Sequence, residues 1–310
     1  MKNDSFCYLA VAALTLTAIV APTTLPAARN YNLNISMDNA ERCSDLRVRS
    51  TNGEVAQAAD TVTLGARDAS MLEVEEISGS GAVRVRAWDR PEYAVETCKI
   101  AVSDSRQAAE TLLRGVTVSH SAGRFTTSGP SSVNNGNWHV YFLIHAPKNG
   151  SIDLQTKNGP IDVAGMTGKV KVRAVNGPIA LKDCGGEVDA HTTNGPISFS
   201  GGSGDVRLAA QNGPISLELA GEVWNGPALD ARTVNGPLSI NIPENFRSGV
   251  RLRTFGNAPL SCKIEACRTA FTDASRSDER TIQLNGSADT VRGSTTNGPV
   301  SVNGPRRRAI

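Results

Sequence analysis

The triplet Asn-Gly-Pro begins at Asn158, Asn176, Asn194 and Asn212, a fixed interval of 18 residues. An aliphatic residue follows at the same phase each time: Ile161, Ile179, Ile197 and Ile215. A strict period implies one structural unit stacked on copies of itself, each covering its neighbour's apolar face. Inside each period two short stretches alternate apolar and polar residues, as in Ile161-Asp162-Val163 and Val170-Lys171-Val172. Gly168, Gly186 and Gly204 keep the same interval, so each unit holds two strands and two corners.

Four architectures share parts of this pattern. Asn-Gly between apolar alternations is a hairpin signal, and a local reading gives a run of antiparallel hairpins. The common phase of every feature argues instead for residue i stacking on residue i+18. A left-handed hexapeptide helix needs an aliphatic residue every six, but Thr167 and Arg173 stand six and twelve after Ile161. Calcium-binding nonapeptide repeats need an Asp in each Gly-rich turn, and only Gly201 to Asp205 comes near. The expected fold is all-β: a β-solenoid of flattened 18-residue coils with two strands each. Its inward columns are Val163, Leu181, Phe199, Leu217 and Val170, Val188, Val206. Its outward columns are charged, with Lys171, Asp189, Arg207 in one and Lys169, Glu187, Asp205 in another. Asn158, Asn176, Asn194, Asn212 and Asn235 form a ladder at one corner, and the Pro after each Gly sits where a missing N–H is tolerated.

The interval from Asn212 to Asn235 is 23 residues, and the surplus contains Gly221 to Trp224 and a stray triplet at Asn225. Counting back from Asn235 puts Leu229 and Ala231 at inward positions. Insertions in one repeat map to a loop on one face, often the binding face. Two readings of Trp224 stay open: exposed, it stacks on a sugar ring or anchors a protein partner; folded back, the favoured alternative, it covers an edge of the solenoid. A degraded copy at Asn257-Ala258-Pro259-Leu260 follows, then a polar stretch through Arg280, and the pattern returns over Thr281 to Val302 with Asn297-Gly298-Pro299.

Upstream, strands are predicted at Leu46 to Thr51, Met71 to Ile77, Ala82 to Ala87, Val95 to Ala101, Val116 to His120 and Trp138 to His145. A turn is predicted at Asn134 to Asn137. One helix is predicted, capped by Asp104 or Ser105 and stopped by Gly115. The first residues read as a secretory signal: Lys2, an apolar stretch from Tyr8 to Val20, then small residues to Ala28. The organisation expected is a signal peptide over 1–28, a β-rich segment with one short helix over 29–137, the repeat over 138–302 and a basic tail over 303–310. Export places the mature chain in the periplasm, at the cell surface or outside the cell. Five cysteines follow the signal, and in an exported chain they pair. Cys43 with Cys98 and Cys262 with Cys267 are the expected disulfides, leaving Cys184 as a buried thiol.

Net charge is +2, which gives no reason to expect a nucleic-acid partner. No catalytic, cofactor or metal motif is present: His120, His139, His145 and His191 carry no zinc-ligand spacing, and no Cys-x-x-Cys occurs. Outward carboxylates and basic residues could in principle cleave acidic polysaccharide, but only Glu187 over Asp205 stacks two acids on successive rungs. Arg306, Arg307 and Arg308 form a solvated end able to touch anionic polymers.

The run from Trp138 to Val302 resembles the bacterial putative-adhesin domain. The residues that carry the resemblance are His145-Ala146-Pro147-Lys148-Asn149-Gly150, the Asn-Gly corner of each unit and the closing Thr296-Asn297-Gly298-Pro299-Val300; Val83 to Ala101, with Trp88-Asp89-Arg90, is similar to the first strands of some members. The uniform Pro after Gly departs from the polar residue commoner in that family. The resemblance implies an exported β-solenoid that is a non-enzymatic binding or structural module of the cell envelope. Its partner would be envelope polysaccharide, a surface protein, or another copy meeting it end to end. The alternatives are a polysaccharide-active hydrolase or lyase and a self-assembling envelope scaffold.

Overall fold

The sequence interval becomes a spatial one in the computed structural model, which describes residues 31, 33–65, 68–76, 80–130, 136–256, 258–269, 271–272, 279–286 and 289–305. The signal peptide, the tail arginines and most of the turn placed at Asn134 to Asn137 lie outside the described residues. Ile161, Ile179, Ile197, Ile215 and Leu238 pair in succession on parallel strands. Val170, Val188, Val206 and Leu229 do the same on a second set. Each Asn-Gly-Pro thus carries the chain from one sheet to the other, and does not turn it back on itself as a hairpin would.

Among the described residues the strands build two long open sheets, one of 12 strands and one of 11, beside a small pair, Leu33–Ser36 with Arg47–Ser50. Neither long sheet closes into a barrel. Val163, Leu181, Phe199 and Leu217 from one sheet and Val170, Val188 and Val206 from the other are buried in one apolar core. Each such side chain contributes about 1.5–3 kcal/mol relative to exposure. The helix Arg106–Arg114 starts at Ser105, whose Oγ accepts the Ala108 N–H at 3.2 Å, and Gly115 ends it. Its Ala109, Leu112 and Leu113 join the same core against strands Glu54–Leu64 and Tyr93–Ser103.

The corner explains why the triplet is so regular. Asn176 Nδ2 donates to Asn158 Oδ1, and the bond repeats through Asn194, Asn212, Asn235 and Asn297, always at 2.9 Å. Gly195 lies so close to the rung before it that a Cβ there would stand 2.2 Å from the Gly177 carbonyl oxygen. The corner bonds run from the Gly and Ile N–H groups to the Asn and Pro carbonyls of the next rung, so a proline leaves them intact.

Stacking order departs from chain order at both ends. Val291–Asn297 lies between Asn225–Asn235 and Val250–Phe255, and Val300–Asn303 lies between Leu238–Asn241 and Leu260–Cys262. The last rung therefore fills a gap between two earlier ones. The corner of that gap is tight: a Cβ at the Gly298 position would meet the Gly236 oxygen at 2.0 Å, whereas the degraded copy carries Ala258. Near the amino end, Leu72–Glu76 and Ser80–Trp88 are flanked by Ile152–Asn158 and Ile161–Ala164 on one side, and by Arg124–Ser128 and Gly136–Pro147 on the other. Antiparallel strands end both sheets at the amino end, Thr117–Ser121 and Glu54–Leu64. At the other end the 12-stranded sheet finishes on antiparallel Glu279–Leu284 and Phe271–Thr272 and the 11-stranded sheet on parallel Leu260–Cys262.

Cys43 is bonded to Cys98, tying residues 31–50 across the outer face of the 11-stranded sheet, and Cys262 is bonded to Cys267. Cys184 is a free, buried thiol, and burial pushes its pKa up to about 11. The reactive thiolate is thus scarce at neutral pH. Cys184 should resist a thiol-labelling reagent in the native protein and react fully once denaturant is added. Rapid labelling of the native protein would place this thiol at the surface.

Candidate binding surface

The outer faces of the two long sheets differ in how their polar side chains are used. On the 12-stranded sheet, in-register columns run Asp153, Lys171, Asp189, Arg207, Asp230 and Lys169, Glu187, Asp205. Their charges neutralise one another locally. Lys171 meets Asp153 at 2.7 Å, Lys169 meets Glu187 at 2.8 Å, Arg207 meets Asp205 at 2.9 Å and Arg232 meets Asp230 at 2.7 Å. Asp230 is held below the usual carboxylate range chiefly by its hydrogen bond from Arg232. Glu187 and Asp205, the acids stacked on successive rungs, each have a basic partner of their own.

The 11-stranded sheet is different. Asp162, Ala180, Ser198, Ser216, Ser239 and Ser301 form one outward column, one residue per strand. Beside it stand Lys182, Ser200, Glu218 and Asn241. With Ala180, Ser198 and Ser216 of that column they line an open groove of about 270 Å³. Among the described residues, the side chains of Lys182, Glu218, Ser198, Ser216 and Asn241 have no ion pair or hydrogen bond, although Asn241 is only 6% exposed. Towards the amino end the groove meets a second space of about 510 Å³ that shares Ala180 and is bordered by residues 34–38. There Arg84 and Arg86 both pair with Asp162, at 3.2 and 2.6 Å, and Arg84 also bonds the Met37 and Ala40 carbonyls.

Residues 31–50 cover the amino end of this face. Leu46 and Ala40 pack on Leu143, Ile100 and Cys98, and Glu96 Oε1 accepts the Cys43 N–H at 3.2 Å. Next to them, Trp88 stacks on His145 with ring centroids 5.1 Å apart, and Arg90 lies 4.9 Å from the indole centroid. Trp88 Nε1 donates to the Glu92 carbonyl at 2.8 Å, which fixes the ring in place.

No protein-family model and no curated protein matches this chain. Among solved structures, a protein from Bacteroides fragilis described as a putative adhesin is similar at 10% identity with a TM-score of 0.36, over 80% of this chain and 97% of its own. A putative cell adhesion protein from Clostridium sporogenes is similar at 8% identity with a TM-score of 0.28, over 81% and 100%. A putative lipid binding protein from Parabacteroides distasonis is similar at 9% identity with a TM-score of 0.27, over 81% and 98%.

Of the two readings of Trp224, the structure agrees with the folded-back one. Trp224 is 5% exposed, its Nε1 donates to the Gly204 carbonyl at 3.0 Å and its ring tilts against Phe199 at 6.2 Å. The reason is local: the register shifts between Ser203 and Asp205, and the surplus residues before Asn225 close over the core at that irregularity. An indole with its N–H satisfied by a backbone carbonyl fills such a gap well. It cannot also stack on a ligand. The histidines do not converge: His120 stacks on Phe125, His145 on Trp88, and His191 is exposed on the opposite sheet from both His139 and His145. Sequence reasoning passed over the groove, whose signal was the serine directly after the aliphatic residue in Ile197-Ser198, Ile215-Ser216, Leu238-Ser239 and Val300-Ser301.

Proposed function

We propose that this chain is an exported, non-enzymatic β-solenoid, adhesin-like in role, that binds a cell-envelope or host-surface polymer through the outer face of its 11-stranded sheet. The observation that carries the reading is the asymmetry between the two faces. One face neutralises its own charges, along a strand and across neighbouring strands. The other leaves a lysine, a glutamate, serines and a nearly buried asparagine amide without partners in one groove. The two disulfides fit the oxidising compartment that export would reach. The antiparallel strands and the helix at the amino end disfavour growth of the stack from that end.

The test is binding of the purified chain to an array of envelope and host polysaccharides, with new reducing or unsaturated sugar ends assayed in the same wells. Binding without product is expected. Lys182→Ala and Glu218→Ala should each lower it about tenfold, the loss of one charge-assisted hydrogen bond, with melting unchanged. Lys171→Ala, on the self-neutralised face, should leave binding unaltered. Product formation would replace this reading with a hydrolase or lyase, and equal losses from Lys171→Ala would place the ligand on the other sheet.

A further inference from the structure

Resting on the reading above, we propose that the groove takes an extended, uncharged β-linked glycan lying along the stacking direction, with one sugar for each rung. The first argument is shape. The groove and the space adjoining it through Ala180 cross six neighbouring strands, at Arg84, Asp162, Ala180, Ser198, Ser216 and Asn241. Five spacings of ~4.8 Å give a track roughly 24 Å long, running across the strands. Such a track follows a linear chain and does not enclose a single sugar.

The second argument is charge. Arg84 and Arg86 are already paired with Asp162. Counting Asp38, which lines the same space, Arg84, Arg86 and Lys182 are matched by Asp38, Asp162 and Glu218, so the track offers no net field to a polyanion. What it offers is donor and acceptor capacity on three neighbouring strands: the Ser198, Ser200 and Ser216 hydroxyls and the Asn241 amide, which serves both roles. Sugar hydroxyls and acetamido groups also serve both roles.

The third argument separates a glycan from a peptide. A peptide strand gains its affinity by adding to a sheet edge through backbone hydrogen bonds. Here the ligand would lie on a sheet face whose backbone groups are already paired strand to strand. Only side chains are available to it. The rung spacing is close to the advance of an extended β-linked sugar chain per residue, so each serine meets the same part of successive sugars.

The experiment is titration calorimetry of the full chain with β-1,4-linked N-acetylglucosamine oligomers, from the disaccharide to the heptasaccharide, and with cello-oligosaccharides alongside. Affinity should rise about fivefold per added sugar, the worth of one net hydrogen bond, until roughly five sugars span the track, and then level off. Ser216→Ile, an outward substitution suited to a strand, should bring the long oligomers down to the affinity of the short ones with melting unchanged. Affinity that is independent of length would overturn the axial arrangement while leaving the binding-module reading in place. Failure of both series to bind would overturn the uncharged glycan as ligand. The polysaccharide array then decides the broader reading separately.

Discussion

Ile197→Asp should leave the chain unfolded or insoluble. Ile197 is fully buried in the middle of the parallel stack, paired with Ile179 on one side and Ile215 on the other, both themselves buried. Replacing it removes about 3 kcal/mol of apolar burial. It also puts a carboxylate where no cation or donor stands, at several kcal/mol more. The sum reaches the whole stability of a typical domain, about 5–15 kcal/mol. Ser198→Asp, one residue further on, points outward by the strand's period of two and should be tolerated. Circular dichroism and thermal melting of the two variants check the pair. If Ile197→Asp stays soluble and melts like the parent, the assignment of inward and outward faces is wrong.

The part of the fold legible in the sequence is the part with a strict period. Val163, Leu181, Phe199 and Leu217 stand in one buried register, as a spacing of 18 requires. What the period did not contain was the order of the rungs. A sequence copy says that a rung resembles its neighbours, and nothing about which neighbour it will touch. The Asn297 rung, not the nearer, degraded copy, continues the asparagine ladder from Asn235, at a corner where a Cβ would stand 2.0 Å from a carbonyl oxygen. The strand Glu54–Leu64 was missed for a different reason. Its Glu-Val-Ala-Gln-Ala-Ala-Asp start is poor in β-branched residues, and pairing with Tyr93–Ser103 overrides that weak local preference.

The candidate site was less legible. An insertion with a tryptophan reads as a binding loop, but Trp224 fills a gap created by a register shift that single-sequence patterning cannot see. The serine column was present at a fixed phase throughout. Its meaning depends on contrast with the other sheet: outward charges there find partners one strand away or two residues along, whereas Lys182 and Glu218 find none. That contrast between two sheets is not contained in the composition and spacing of one rung.

The same comparison of rungs leads to Glu76. The column it begins continues Thr156, Ala174, Thr192, Ala210, Thr233, Thr295. The threonines resolve their burial by donating to corner glycine carbonyls, as Thr233 does to Gly213 at 2.8 Å and Thr295 to Gly236 at 2.8 Å. Glu76 has a carboxyl in that place, 4% exposed, with neither oxygen hydrogen-bonded. Burial raises its pKa to about 8, and its charge in turn helps hold the Tyr141 phenol up at about 12. The folded state therefore keeps the proton up to about pH 8, while the unfolded chain releases it near 4.5. Between those values the folded state binds one more proton than the unfolded, so stability falls as pH rises, by about 1.4 kcal/mol per pH unit. At pH 7 the ionisable side chain should be destabilising by about 3 kcal/mol relative to a neutral one. Glu76→Gln should accordingly melt close to the parent at pH 4.5 and several degrees above it at pH 7, with the gap widening up to about pH 8 and constant beyond. Melting curves of both proteins across that range measure the gap. A gap that does not change with pH would mean that Glu76 is ionised in the folded chain, with a cation or donor beside it.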